Sequence, residues 1–265
     1  MLLTERIGAD LQKNIVKERL KAGGQVYGTS VASCLDPEVP IVLAAAGLDF
    51  FFIDTEHSAA GYAQIQPLCR TARGAGIIPL VRVTQNDYAL IARALDVGAM
   101  GIIVPRVHLP SDARAAIEAM KFPPLGARGY GLGSIVTDCK ICSAQEEVNS
   151  ANHETLAVLM IESRQGLESV EQIATIPGID VLFVGPYDLS LSLGIIEQFN
   201  HPIFTRALDR IFEAAARAGV AVGLQSGDFG LLTQAREKGA RFLMYSSDFA
   251  VLLTGYRDAI SRLKG

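Results

Sequence analysis

Short apolar runs recur along the chain, each separated from the next by about the length of a helix. They occupy residues 25–33, 50–56, 78–83, 101–107, 156–162, 181–185, 220–225 and 242–246. Each run is nearly continuous rather than alternating, which suits strands covered on both faces, as in a parallel sheet. Between them, residues 87–96, 111–121, 166–173, 204–218 and 230–238 repeat apolar positions at helical spacing. Gly98, Gly219 and Gly239 stand between such a stretch and the next run, where a left-handed residue ends a helix. Eight strand–helix units predict an α/β fold, the (β/α)8 TIM barrel, as one domain over residues 1–265. A doubly wound sheet also alternates strand and helix, but no glycine-rich dinucleotide loop follows the first run. Residues 122–154 break the rhythm with Pro123, Pro124 and a polar stretch at 145–152. They read as a long functional loop or an interface excursion.

Composition narrows the partners. The 265 residues are 49% apolar and 20% charged, enough for a sizeable core and too apolar for global disorder. Lysine plus arginine is 24 against 28 acidic residues, a net charge of −4, so nucleic acid and anionic membranes are not the expected main partners. The longest apolar run, 41–48, is far short of the ~20 residues that span a bilayer. Residues 1–25 carry charge throughout and lack the apolar centre of a signal peptide. The expected location is the cytoplasm. Cys139 and Cys142 form a lone C-x-x-C with no second pair to complete a zinc site, and read as ordinary loop or packing residues.

In a parallel barrel the site lies at the C-terminal ends of the strands. The second run ends in Asp54-Thr55-Glu56-His57, the third at Arg82, the fourth near Arg106 and His108. The fifth ends in Glu162-Ser163 and the sixth runs into Gly185-Pro186-Tyr187-Asp188. The seventh ends near Gln225 and Ser226, and the eighth near Ser247 and Asp248. Glu162 and Asp188 thus end adjacent strands, about 4.8 Å apart. Carboxylates that close repel unless something cationic lies between them, and a hard divalent cation with waters is one solution. The alternative is that each carboxylate caps the helix that follows. Arg82 either meets a substrate oxyanion through its planar fork or forms a structural ion pair. His57 is a general base, a metal ligand or a satisfied core histidine. If the pleat persists, Glu56 points to the other side of its strand from His57, which suits a supporting or interface role. No lysine lies within a predicted strand, so a Schiff base is not expected and carbonyl chemistry falls to a metal.

Six segments carry a resemblance over nearly the whole chain. They are Ile53-Asp54-Thr55-Glu56-His57, Pro79-Leu80-Val81-Arg82, Ala94-Leu95-Asp96-Val97-Gly98-Ala99 with Ile103-Val104-Pro105, Phe122-Pro123-Pro124-Leu125-Gly126-Ala127-Arg128-Gly129, Met160-Ile161-Glu162-Ser163, and Val184-Gly185-Pro186-Tyr187-Asp188-Leu189-Ser190. In that order they resemble the HpcH/HpaI aldolase family, metal-dependent class II pyruvate aldolases. The resemblance implies a divalent cation, Mg2+, Mn2+ or Co2+, on Glu162 and Asp188. It implies that Arg82 contacts a bound 2-oxo acid and that His57, oriented by Asp96, takes part in proton transfer. The backbone N–H groups of Tyr187 and Asp188 would receive the substrate carboxylate. The eighth helix would be exchanged between subunits of a homo-oligomer, a hexamer built as a trimer of dimers.

The implied reaction is cleavage of a 4-hydroxy-2-oxo acid to pyruvate, or a close analogue, and an aldehyde. Many relatives have threonine at the position of Ser163 and methionine at that of Arg106. The Phe-Pro-Pro run also resembles macrophomate synthase, which decarboxylates oxaloacetate. Alternatives within the superfamily are therefore such a decarboxylase or a citramalyl- or malyl-CoA-type lyase. Outside enzymes, the alternative is a barrel that only binds a metal or a small acid.

Overall fold

A computed structural model describes residues 11–131, 137–138, 140 and 142–265. Cys139 of the C-x-x-C lies outside the described residues. The strands are β1 (Val26–Val31), β2 (Phe50–Asp54), β3 (Ile78–Arg82), β4 (Gly101–Val104), β5 (Leu156–Ile161), β6 (Val181–Val184), β7 (Ala221–Ser226) and β8 (Phe242–Ser247). Each pairs in parallel with its neighbour in sequence, and β8 closes on β1. This is the predicted TIM barrel, with one strand in each of the eight apolar runs.

Among the described residues the helices are α1 (Ile15–Lys21), α2 (Val39–Ala45), α3 (Tyr62–Ala75), α4 (Tyr88–Asp96), α5 (Pro110–Met120), α6 (Ala144–Glu154), α7 (Arg164–Glu168), α8 (Val170–Ala174), α9 (Pro186–Ser192), α10 (Pro202–Ala218), α11 (Phe229–Glu237) and α12 (Asp248–Lys264). Their ends obey local chemistry. The Asp87 side chain accepts from the N–H groups of Ala89 and Leu90 at the start of α4. Gly219 closes α10 at φ 71°, and Gly98 and Gly239 also have positive φ. The polar stretch at 145–152, read from sequence as loop, is helix α6. Ser143 and Glu146 form a reciprocal capping box at its start, a signal that outweighs the polar composition. No helix among the described residues is long and apolar enough to cross a membrane.

Two apolar clusters divide the core. One lies between strands and helices; the other fills the barrel and is closed from below by Val16 and Leu20 of α1. Phe242 stacks on Phe50 with ring centroids 4.2 Å apart and meets Phe183 edge-on at 5.7 Å. Three such rings fit one layer because the positions beside them are small. A Cβ on Gly28 would lie 2.5 Å from the Phe50 ring, and one on Gly223 would lie 1.7 Å from the Phe242 carbonyl oxygen.

α12 is the exception to this packing. None of its residues is buried, and Phe249, Leu252, Tyr256 and Leu263 are exposed. Its root is fixed: Asp248 accepts from the N–H groups of Ala32, Ser33 and Cys34 after β1.

Gly223→Ala is expected to cost about 3 kcal/mol, because the obstructing atom is a paired strand carbonyl and not a side-chain tip. Gly74→Ala in α3, where a Cβ meets nothing within 4 Å, should be neutral or stabilise by up to about 1 kcal/mol. Urea unfolding of the two variants checks the contrast, and equal midpoints would refute it.

Candidate active site

Strand parity carries the same residue set from the barrel interior to its mouth. Phe50 and Phe52 of β2 face inward, Ile78 and Leu80 of β3 do so, and Leu156, Val158 and Met160 of β5 do so. Two residues further on, each strand presents a polar side chain on the same side: Asp54, Arg82 and Glu162. Arg82 donates to both oxygens of Asp54, Nε to Oδ1 at 2.9 Å and Nη2 to Oδ2 at 2.6 Å. Asp54 Oδ1 also accepts from the N–H groups of Glu56 at 3.0 Å and His57 at 3.3 Å. Burial disfavours the Arg82 cation. The bonds and charge of Asp54, with Glu56 and Glu162, outweigh burial and hold its pKa above the ordinary arginine range.

Pairing of β2 stops at Asp54, so the pleat does not continue to Glu56. Glu56 turns into the site, not away from it as expected. Its Oε2 lies 3.5 Å from Arg82 Nη1 and its Oε1 3.1 Å from Arg106 Nη2. His57 is on the rim, its side chain 59% exposed, with Nε2 3.9 Å from Glu56 Oε2. It is therefore no core histidine. Asp96 is not brought to it. Asp96 ends α4 on the opposite face of the barrel and pairs with Arg128 at 2.6 Å. The order is dictated by topology: a helix that returns to the start of the next strand delivers its last residue to the N-terminal end.

Glu162 is buried and accepts from the Arg106 backbone N–H at 2.6 Å. Burial pushes its carboxyl up to about 7; the charges of Asp188 and Glu56 add to the rise, while the Arg106 N–H and Arg82 oppose it. A Cβ at Gly185 would lie 2.7 Å from Glu162 Oε2, so this close approach of β6 requires glycine. Neither Glu162 nor Asp188 serves as a helix cap. Gly185 occupies the cap position of α9, with Asp188 in its first turn, and Ser163 caps α7 by accepting from the Gly166 N–H. Among the described residues neither carboxylate forms an ion pair.

Two adjoining cavities open here. The deeper, about 420 Å3, includes Arg82, Phe183, Tyr187, Asp188 and Gln225 in its lining. The outer, about 270 Å3, includes Glu56, His57, Arg106, Glu162 and Asp188. Reading the sequence missed Asp54 and Gln225 as site residues. Gln225 Nε2 donates to Ser30 Oγ at 2.8 Å and to the Ser246 carbonyl at 2.5 Å. Its signal was available: it is two residues beyond Gly223 on the inward side of β7.

Among the described residues, no group of three or more His, Cys, Asp or Glu side chains converges as a metal site. A cation at the mouth would have Glu162 and Asp188 with water completing its shell, a donor set that suits a hard divalent ion. Among the described residues no strand carries a lysine, as expected; two lysines are buried outside the strands, at the other end. Lys121 Nζ donates to the carbonyls of Asn152 and Thr155, and Lys17 Nζ to Thr155 and to Asp180 Oδ2. These partners precede β5 and β6.

The chain matches, over residues 36–254, the family model described as HpcH/HpaI aldolase/citrate lyase. It is 33% identical over 247 residues to a hydroxypyruvate/pyruvate aldolase of Sagittula stellata, covering 92% of this chain and 96% of that relative. It is 36% identical over 217 residues to a 4-hydroxy-4-methyl-2-oxoglutarate aldolase of Chaetomium globosum, covering 80% and 79%. The crystal structure of an HpcH/HpaI aldolase from Desulfitobacterium hafniense superposes with a TM-score of 0.89 at 37% identity, covering 94% of this chain and 96% of that one.

The raised Glu162 carboxyl gives a pH signature. In chelator-treated protein the unfolded chain releases this proton near 4.5, whereas the folded protein keeps it until about 7. The folded state binds more protons in that window, so this group's contribution to stability is lost as pH rises through it. Glu162→Gln should abolish that loss, gaining on the order of 2 kcal/mol on wild type between those limits. Urea unfolding across the window measures it, and parallel pH curves for the two proteins would contradict the raised carboxyl.

Proposed function

The chain belongs to the HpcH/HpaI aldolase/citrate lyase family, and from that premise we propose that it cleaves 4-hydroxy-2-oxo acids to pyruvate, or a close analogue, and an aldehyde. The observation that carries this reading is the carboxylate pair Glu162 and Asp188 beside Arg82. The fork of Arg82 is taken by Asp54, which leaves the pair without a side-chain cation of its own. Aldolases of this family are generally divalent-metal dependent, and two carboxylates with water suit Mg2+, Mn2+ or Co2+. When bound there, the ion would act as a Lewis acid on the 2-oxo acid.

The chain's own residues supply the rest. The carboxylate of the 2-oxo acid is received in the deep cavity by the N–H groups of Tyr187 and Asp188, which begin α9 and have no partner within the helix. Arg82 places fixed positive charge where the enolate oxygen develops; a donor that does not have to reorient at that moment stabilises the transition state best. His57, in the outer cavity, takes the proton of the 4-hydroxyl, directly or through water. The bond between C3 and C4 then breaks, its electron pair passes into the enolate, and the aldehyde leaves. A proton returned to C3 completes pyruvate. Asp54 orients this machinery, holding Arg82 by side chain and His57 by backbone; within one subunit Asp96 stands at the opposite end of the barrel and does not reach His57. The bare α12 supports the exchanged helix and a homo-oligomer, which we take to be a hexamer built as a trimer of dimers. Beyond its root at Asp248, an amphipathic helix with no buried residue draws little stability from its own barrel.

Pyruvate release from a panel of 4-hydroxy-2-oxo acids, with and without chelator, tests the activity. Release that needs a divalent ion is the expected result. Release from oxaloacetate alone would turn the reading to a decarboxylase, release from CoA thioesters to an acyl-CoA lyase, and no turnover to a binding barrel. Glu162→Ala and Asp188→Ala should each abolish tight metal binding in calorimetry; unchanged affinity in both would remove them as ligands.

Arg82→Lys is expected to be a severe lesion. Lysine keeps the charge but cannot hold both oxygens of Asp54 while facing the cavity. The loss should fall on kcat/KM, on the order of 2–4 kcal/mol. Near-normal kcat/KM with a lowered Tm would make Arg82 a structural ion pair only.

A further inference from the structure

The reading above fills the deep cavity with the 2-oxo acid, and the outer cavity remains for the aldehyde half of the substrate. The residues that line that outer space are polar or charged except Leu191. Arg106 stands over it in an unusual way. Its φ is 56°, a left-handed conformation that a long side chain adopts at a cost of about 1 kcal/mol. This turn aims the Arg106 N–H at Glu162 Oε1, which plants the residue beside the carboxylate pair. Asparagine or glycine would make the same turn more cheaply, so the backbone bond alone does not account for an arginine. The guanidinium is also largely free. Its side chain is 66% exposed, and Nη2 alone is engaged, 3.1 Å from Glu56 Oε1. Glu56 is at the same time drawn toward Arg82, so one carboxylate is shared by two cations. Among the described residues the other guanidinium nitrogens of Arg106 have no hydrogen-bond partner, and Arg106 is part of the cavity lining. His108 adds a donor there. Ser163 Oγ accepts from the Gly166 N–H and lies 2.7 Å from His108 Nδ1. In the tautomer whose Nδ1 accepts from the serine O–H, Nε2 carries the proton and can donate.

Resting on the proposed aldol cleavage, we propose that Arg106 selects the aldehyde: its free guanidinium edge, with His108, binds an oxyanion at the far end of an acidic aldehyde. Arginine suits such a group because its planar donors meet two oxygens at once. The substrate class that follows is a 4-hydroxy-2-oxo acid with a second acidic group on its aldehyde-derived half.

The test is aldol addition to pyruvate by the metal-loaded protein, with 4-oxobutanoate against butanal as acceptors, in wild type, Arg106→Asn and Arg106→Lys. Asparagine tolerates the left-handed backbone and removes the charge; lysine keeps the charge. Circular dichroism establishes that each variant is folded. Wild type should prefer the acid, and the asparagine variant should lower that preference about 10- to 100-fold, mainly through KM. Lysine should retain part of the preference, and added salt should erode it in wild type. Deuterium exchange at C3 of pyruvate needs no aldehyde and reports on the underlying reading separately. Absence of metal-dependent exchange in wild type would overturn the aldolase reading and this proposal with it. Exchange with no preference for the acid, or with a preference unchanged in the asparagine variant, would overturn the role of Arg106 alone.

Discussion

The bond between Arg82 and Asp54 sets the arrangement at the barrel mouth. Both side chains are largely withdrawn from water, 12% and 6% exposed, so separating them would leave a buried charge unpaired, a loss of the order of 3–5 kcal/mol. The pair spans neighbouring strands, and Thr55 strengthens that junction by donating its hydroxyl to the Arg82 carbonyl at 2.6 Å. Because Asp54 also receives the N–H groups of Glu56 and His57, the chain leaving β2 is shaped by the same carboxylate that holds the arginine. Glu56 therefore lands between two arginines and His57 on the rim. The occupied fork has a further consequence. With its fork on Asp54 and Nη1 toward Glu56, Arg82 forms no ion pair with Glu162, whose carboxyl is compensated only in part and rises to about 7. A demand for positive charge is thus built into the mouth by a contact that does not touch the carboxylate pair.

The fold was legible in the sequence because it rests on a repeated rule: an apolar run, a helix, a glycine at the helix end. All eight strands fall where that rule puts them. The site was legible in part. Glu162, Asp188, Arg82 and His57 were found by asking which polar residues end each run, and the structure gathers them around two adjoining cavities. Parity was harder. Phe50, Phe51, Phe52 and Ile53 are apolar on both faces because both faces are buried, so nothing in the pattern tells which set looks inward. With Phe50 and Phe52 known to face the barrel, Asp54 joins them, and the pleat ends before it can place Glu56. Asp96 differs. A helix that returns to the start of the next strand delivers its last residue to the N-terminal end, so within one subunit Asp96 stands apart from His57. The polar stretch at 145–152 is a helix despite its composition, because the spacing of Ser143 and Glu146 specifies a helix start.

The two ends of the barrel divide the charge chemistry between them. At the N-terminal end Lys17 and Lys121 converge on the Thr155 carbonyl, with Asp180 as counter-ion. Burial and the neighbouring Lys17 push the Lys121 amine down to about 7, within the range that makes a lysine nucleophilic. By that measure alone it would be a Schiff-base candidate. Position decides otherwise. Phe50, Phe183 and Phe242 pack as one layer within the barrel, and between Thr155 and Glu162 runs the whole length of β5. An amine fixed beneath that layer does not meet a carbonyl bound at the mouth. Among the described residues no lysine lines either mouth cavity, so the fixed side-chain charge there is arginine's, from Arg82 and Arg106, beside which the proposed cation would stand. A perturbed amine thus marks the end of the barrel that holds the fold together, and a perturbed carboxyl marks the end that does the chemistry.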